Sequence, residues 1–242
     1  MEHDRADPTP PPPATRPSWN TRAVVLFVVI LALLMGIGLT SWLYRPAAPS
    51  GLPQDSSVAE ALDLLGGSIE VDAGALRYAT SLGEGGKRAR PDGARDRRLT
   101  EAAFRLEQGR ARHRFDPRFD CLLGHVALEA DRLELAERRF RAALSLTPRY
   151  GEARLGLGVT LARRALAEGD QASSRGLLLQ AIAQFAAVDE RDSFYRFALY
   201  DRVLLLLDVG RAEEAKRLAR RYEELEPTSA WTEALRRRLE QG

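Results

Sequence analysis

The chain has 242 residues, 45% hydrophobic and 29% charged, with a formal net charge of +2; this suits a folded body and excludes one drawn by bulk charge to nucleic acid or an acidic surface. Its basic residues are 34 Arg against 2 Lys, which reads as the bias of a GC-rich bacterial genome, because acidic residues are interleaved with the arginines and no phosphate-binding face is segregated. One cysteine, Cys121, excludes an intramolecular disulfide, and the lone asparagine, Asn20, begins no glycosylation sequon.

Residues 1–22 contain four consecutive prolines at 10–13 and charges of both signs. Too little apolar surface is present to fold, so a disordered cytoplasmic tail is expected. Residues 23–44, AVVLFVVILALLMGIGLTSWLY, hold no charge over 22 positions, about 33 Å of helix against a hydrocarbon core of about 30 Å. That predicts a transmembrane helix. A cleavable signal peptide would have a shorter apolar region and a small-x-small end, which Trp42-Leu43-Tyr44-Arg45-Pro46 lacks. No cysteine follows closely, which argues against a lipoprotein, and Trp19, Trp42 and Tyr44 suit the two interfaces. Arg16 and Arg22 before the span against Arg45 after it place the N-terminus in the cytoplasm and the bulk of the chain in the periplasm, as a single-pass protein of the bacterial inner membrane. Ala32, Gly36 and Thr40 form a small-residue stripe that would admit a second helix, in a homodimer or a membrane complex.

Residues 45–96 begin as a Pro/Ala/Ser/Gly linker. Val58, Ala61, Leu62 and Leu65, then Leu76, Ala79 and Leu82, have helical spacing and predict two short amphipathic helices, which either cover the N-terminal end of the C-terminal helical region, the favoured reading, or offer a docking surface. Residues 83–98 are rich in Gly, Arg and Asp and read as a mobile loop.

Residues 97–242 carry a repeating pattern. Leu123, Gly124, Ala136, Phe140, Ala143 and Pro148 set it, with small residues where two helices cross, large ones between them and a proline to stop the second. Leu157 and Gly158 recur 34 positions on, Ala181 and Phe185 recur 45 positions on, and Ala215, Ala219 and Pro227 return to a step of 34. The eleven extra residues amount to about three helical turns and predict two lengthened helices meeting near Gly169 and Asp170. Ala102 and Leu106 fit an earlier, degenerate unit, whose first helix would fall in the Gly- and Pro-containing stretch 85–93, which no helix would tolerate. This spacing resembles the tetratricopeptide repeat (TPR), a helix pair of about 34 residues. The resemblance implies an all-α fold: a transmembrane helix, then a TPR-like antiparallel solenoid of about three repeats. Residues 230–241, with Trp231, Ala234, Leu235 and Leu239 on one face and Arg236, Arg237 and Arg238 on the other, read as the capping helix that a solenoid needs.

Chemistry is sparse. No histidine stands at recognised metal-ligand spacing, Gly156-Leu157-Gly158 lacks the strand and third glycine of a phosphate loop, and Asp189, Glu190 and Asp192 read as turn chemistry before a Ser193 N-cap. Cys121 lies one turn before His125, close enough for a nucleophile and base, but no orienting group is evident and a packing cysteine is the better reading. No cofactor, metal or enzymatic activity is expected. In the TPR family the first helices of the pairs line a groove that holds a peptide or partner helix. Carried over, that groove comprises Arg118, Cys121, Leu122, His125 and Glu129, then Glu152, Leu155, Val159 and Arg163, then Phe197, Tyr200, Asp201 and Leu204. The resemblance implies a membrane-tethered adaptor or assembly factor that binds a polypeptide outside the inner membrane. The alternative is a fixed accessory subunit of a membrane complex, held by its span, with a structural TPR domain.

Overall fold

Three helices start on an aspartate whose side chain takes up a free backbone N–H of the first turn. Asp55 accepts from Ser57 N at 2.9 Å, Asp116 from Arg118 N at 3.0 Å with Pro117 following in the first turn, and Asp170 from Ser173 N at 2.7 Å. The computed structural model describes residues 49, 51–65 and 93–240. Among these every regular element is a helix: α1 (Ser56–Leu64), α2 (Gly93–Arg112), α3 (Pro117–Glu129), α4 (Leu133–Leu146), α5 (Gly151–Ala167), α6 (Gln171–Ala186), α7 (Tyr195–Asp208), α8 (Ala212–Leu225) and α9 (Ala230–Glu240). All belong to one unit, Ala47–Gly242. None is long and apolar enough to cross a membrane, and the expected tail, span and stripe at Ala32, Gly36 and Thr40 lie outside the described residues. So does the second short helix expected around Leu76, Ala79 and Leu82.

Each helix packs on the next in chain order, and α3 also touches α5, as α5 touches α7. Two turns close in the same way. After α3, Asp131 adopts φ 58° and Arg132 N bonds back to Ala127 O at 2.9 Å; after α7, Gly210 adopts φ 78° and Arg211 N bonds to Leu206 O at 2.7 Å. This left-handed closure satisfies carbonyls that the helix end would leave bare.

Where helices cross, glycine meets phenylalanine. Phe140 of α4 is fully buried, and a Cβ on either Gly124 of α3 or Gly156 of α5 would fall within 3 Å of its ring; Phe185 of α6 stands in the same relation to Gly158. Absence of a side chain on one helix is what lets the ring of the other lie flat against its backbone. The eleven-residue excess is taken up largely by lengthening: α5 and α6 have 17 and 16 residues, where α3 and α4 have 13 and 14.

The apolar interior falls into two clusters. Val58 and Ala61 of α1 and Leu99, Ala102 and Leu106 of α2 pack with Phe119, Leu122, Leu123 and Val126 of α3, so α1 and α2 cover one side of α3. A larger cluster runs from α3 to α9, where Leu235 is buried and Trp231 lies edge-on to Tyr200 with ring centroids 5.1 Å apart. Two expectations are corrected. Residues 93–98 are not loop but the exposed first turns of α2, continuous with a helix that Leu99, Ala102 and Leu106 anchor in the core beyond them. Ser193 is not the cap of α7; that position falls to Phe194, which makes no side-chain cap hydrogen bond, and Asp192 instead accepts from Phe194 N at 2.9 Å in the turn that leads into the helix.

A buried polar cluster behind a cleft

Cys121 and His125 stand one turn apart on α3, and Glu152 stands in the first turn of α5. The contact between these helices brings all three together: His125 Nε2 lies 3.5 Å from Cys121 Sγ and 3.1 Å from Glu152 Oε1. Tyr150, just before α5, donates its hydroxyl to Glu152 Oε2 at 2.9 Å. All four residues are buried. On its far side the His125 ring meets Phe140 edge-on at 5.0 Å.

Burial raises the pKa of Glu152, but hydrogen bonding and charge from His125, helped by the Tyr150 hydroxyl, outweigh it, and the net shift is downward. Burial and the Glu152 charge push the Cys121 thiol well above its ordinary range, and burial does the same to the Tyr150 phenol. A protonated, enclosed thiol is a poor nucleophile. The geometry also departs from a catalytic triad, in which the base uses one ring nitrogen for the nucleophile and the other for the orienting carboxylate; here both contacts fall on Nε2.

Tyr150 and Glu152 are also part of the wall of a cleft of about 550 Å³. Arg118 and Leu122 of α3, Asp192 and Phe194 before α7, and residues of the segment 49–53 complete much of it. Arg118 is held by Asp116 at 2.7 Å and donates to the Leu52 carbonyl at 3.3 Å, so this proline-containing stretch is fastened against the start of α3. Asp192 lies against Gly151, where a Cβ would collide with its carboxylate. Burial is the chief reason that its pKa is raised, with Asp189 and Glu152 adding to the effect.

Of the groove positions inferred from the repeat, Arg118, Leu122 and Glu152 line this cleft. Leu122, His125, Leu155, Val159, Phe197, Tyr200 and Asp201 are buried, because α3, α5 and α7 pack on one another as well as on the intervening helices. Arg163 is mostly covered and donates to Leu128 O at 3.1 Å, closing the C-terminal end of α3; Leu204 is partly covered, and Glu129 is exposed and paired with Arg95 at 2.6 Å. The one-turn spacing of Cys121 and His125 was legible in the sequence, as was the shared face with Glu152. Their convergence was not, since Glu152 arrives from a helix 27 residues beyond His125.

Fold and site together define, for the described residues, an all-helical protein with a buried Cys/His/Glu/Tyr cluster that reaches a cleft through Tyr150 and Glu152. No protein-family model matches the sequence, and a search of curated proteins finds no match.

Proposed function

We propose that this chain is a membrane-tethered, TPR-like adaptor that binds a polypeptide partner through its helical domain on the periplasmic side of the bacterial inner membrane. The observation that carries the reading is the cleft against α3 and the residues before and at the start of α5 and before α7, along which the chain's own residues 51–53 already lie, the Leu52 backbone carbonyl held by Arg118. A surface that accepts a proline- and leucine-containing strand of this chain has the donors and apolar walls to accept another polypeptide. The recurrence of Gly124, Gly158, Phe140 and Phe185 supports the TPR-like part, and the uncharged residues 23–44 support the tether.

The test is a pull-down of the full-length protein from gentle detergent beside Arg118→Glu, a charge reversal at Arg191, which also lines the cleft (Arg191→Glu), and a version lacking residues 1–44, with partners identified by mass spectrometry. Polypeptides retained by the parent and by the shortened chain, and lost from the charge-reversed variants at unchanged circular dichroism, are the expected result. A constant set that ignores the cleft variants and disappears with residues 1–44 would overturn the adaptor reading in favour of a fixed membrane subunit.

A further inference from the structure

We propose that Cys121, His125 and Glu152 form a binding site for one divalent transition-metal ion, zinc by the chemistry of its donors. The three donor atoms lie within 4.8 Å of one another and come from three chemically different side chains. Tetrahedral zinc, with bonds of about 2.3 Å to sulfur, 2.0–2.1 Å to nitrogen and 2.0–2.2 Å to oxygen, sets sulfur and nitrogen roughly 3.5 Å apart and nitrogen and oxygen roughly 3.3 Å apart. The corresponding separations here are 3.5 and 3.1 Å.

The Cys121 thiol has hydrogen-bond partners in Tyr150 and Glu152, but the double contact of His125 Nε2 is not accounted for by hydrogen bonding alone. His125 Nε2 carries either a proton or a lone pair, so it can donate to Glu152 or accept from Cys121, and one of its two contacts is left without a hydrogen bond. An ion among the three atoms satisfies both at once. Charge argues the same way, because a thiolate and a carboxylate together cancel a divalent ion, leaving a neutral centre where an isolated buried charge would be costly. Binding displaces the Cys121 thiol proton, which passes to solvent. Tyr150, donating to Glu152 Oε2, orients the carboxylate from the outer shell. A set of sulfur, nitrogen and oxygen donors selects zinc over magnesium or calcium, which take oxygen. Entry is short, since Glu152 and Tyr150 stand in the cleft wall, and three protein ligands leave a fourth position for water or for a group from a bound partner.

Cys121 is the only cysteine, so any thiolate signal reports this site alone. Full-length protein in detergent, stripped with a chelator, is titrated with cobalt(II) and then zinc(II). The expected result is a thiolate-to-cobalt charge-transfer band that saturates at one ion per chain and is abolished by one equivalent of zinc. Cys121→Ser, with circular dichroism like the parent, should lose the band, and Glu152→Gln should keep it; as direct ligands, both should bind zinc more weakly than the parent by at least about the tenfold that loss of an outer-shell partner costs. Absence of the band in the parent chain, or zinc binding to Cys121→Ser as tight as to the parent, would overturn the proposal. The parent titration decides the matter even if a variant fails to fold.

Discussion

At the scale of single residues, the two contacts of Phe140 set the tolerance of the core. The ring lies against the backbone of both Gly124 and Gly156, so a methyl group on either has nowhere to go. Gly156→Ala is expected to lower stability by about 1–3 kcal/mol, the usual cost of forcing an extra carbon into a packed interior, read from the urea midpoint of the full-length protein. An unchanged midpoint would mean that α4 and α5 can separate at no cost. Gly124 and Phe140 could be picked out in the sequence because their offset fits a repeat. Gly156 could not, since it serves the ring of the preceding unit and stands two residues before the glycine that keeps the register. Likewise Leu155 and Tyr200 read as groove positions from periodicity, which gives the face of a helix but not what covers that face; both turn out to be core.

At the scale of elements, the turn from α7 to α8 depends on a left-handed residue. Gly210 has φ 78° with open space around the position of a Cβ, so substitution there is a purely conformational perturbation. Gly210→Ala is expected to cost about 1–2 kcal/mol, measured by thermal denaturation. The equivalent turn after α3 tolerates Asp131 at φ 58°, an aspartate being one of the few side chains that visits this region, and Arg163 reaches its carboxylate at 3.2 Å. Helix existence was legible here and cap chemistry less so. The α7–α8 pair shows why: Val203 and Ala219 stand sixteen apart, as Gly124 and Phe140 do, with the larger residue now on the first helix. The small-large order is lost here although Ala215, Ala219 and Pro227 keep the step of 34, and both positions are still core, with Val203 fully buried and Ala219 nearly so.

At the scale of the whole helical unit, two carboxylates give stability opposite dependences on pH. Burial alone would raise the pKa of Asp116, but the hydrogen bonds and charge of Arg118 outweigh it and leave it lowered, so its contribution is present above the ordinary value of 3.8 and is lost as pH falls through the depressed value. Asp192 is raised, chiefly by burial. Its ionised form therefore costs stability at neutral pH, and that cost is relieved as pH falls through the raised value. Thermal midpoints of the full chain should hold or rise on mild acidification from pH 7 and fall steeply below about pH 4, where protonation removes the carboxylates that are paired in the fold, Asp116 among them. Asp192→Asn should flatten the mildly acidic part alone; a variant that instead loses the steep part would show that Asp192 has been assigned the wrong sign.

The lengthened hairpin of α5 and α6 has a practical consequence. Leu166, Ala167, Glu168, Gly169 and Asp170 are all exposed, and nothing lies within 4 Å of where a Cβ on Gly169 would be. Four residues more in α5 than in α3 carry this tip about 6 Å further along the helix axis, away from the end where Tyr150 and Glu152 meet the cleft. A peptide inserted between Glu168 and Gly169 would leave the Asp170 cap intact and add only a modest closure entropy. The same bond is where the chain could be divided into two genes, whose products would find one another through the α5–α6 face.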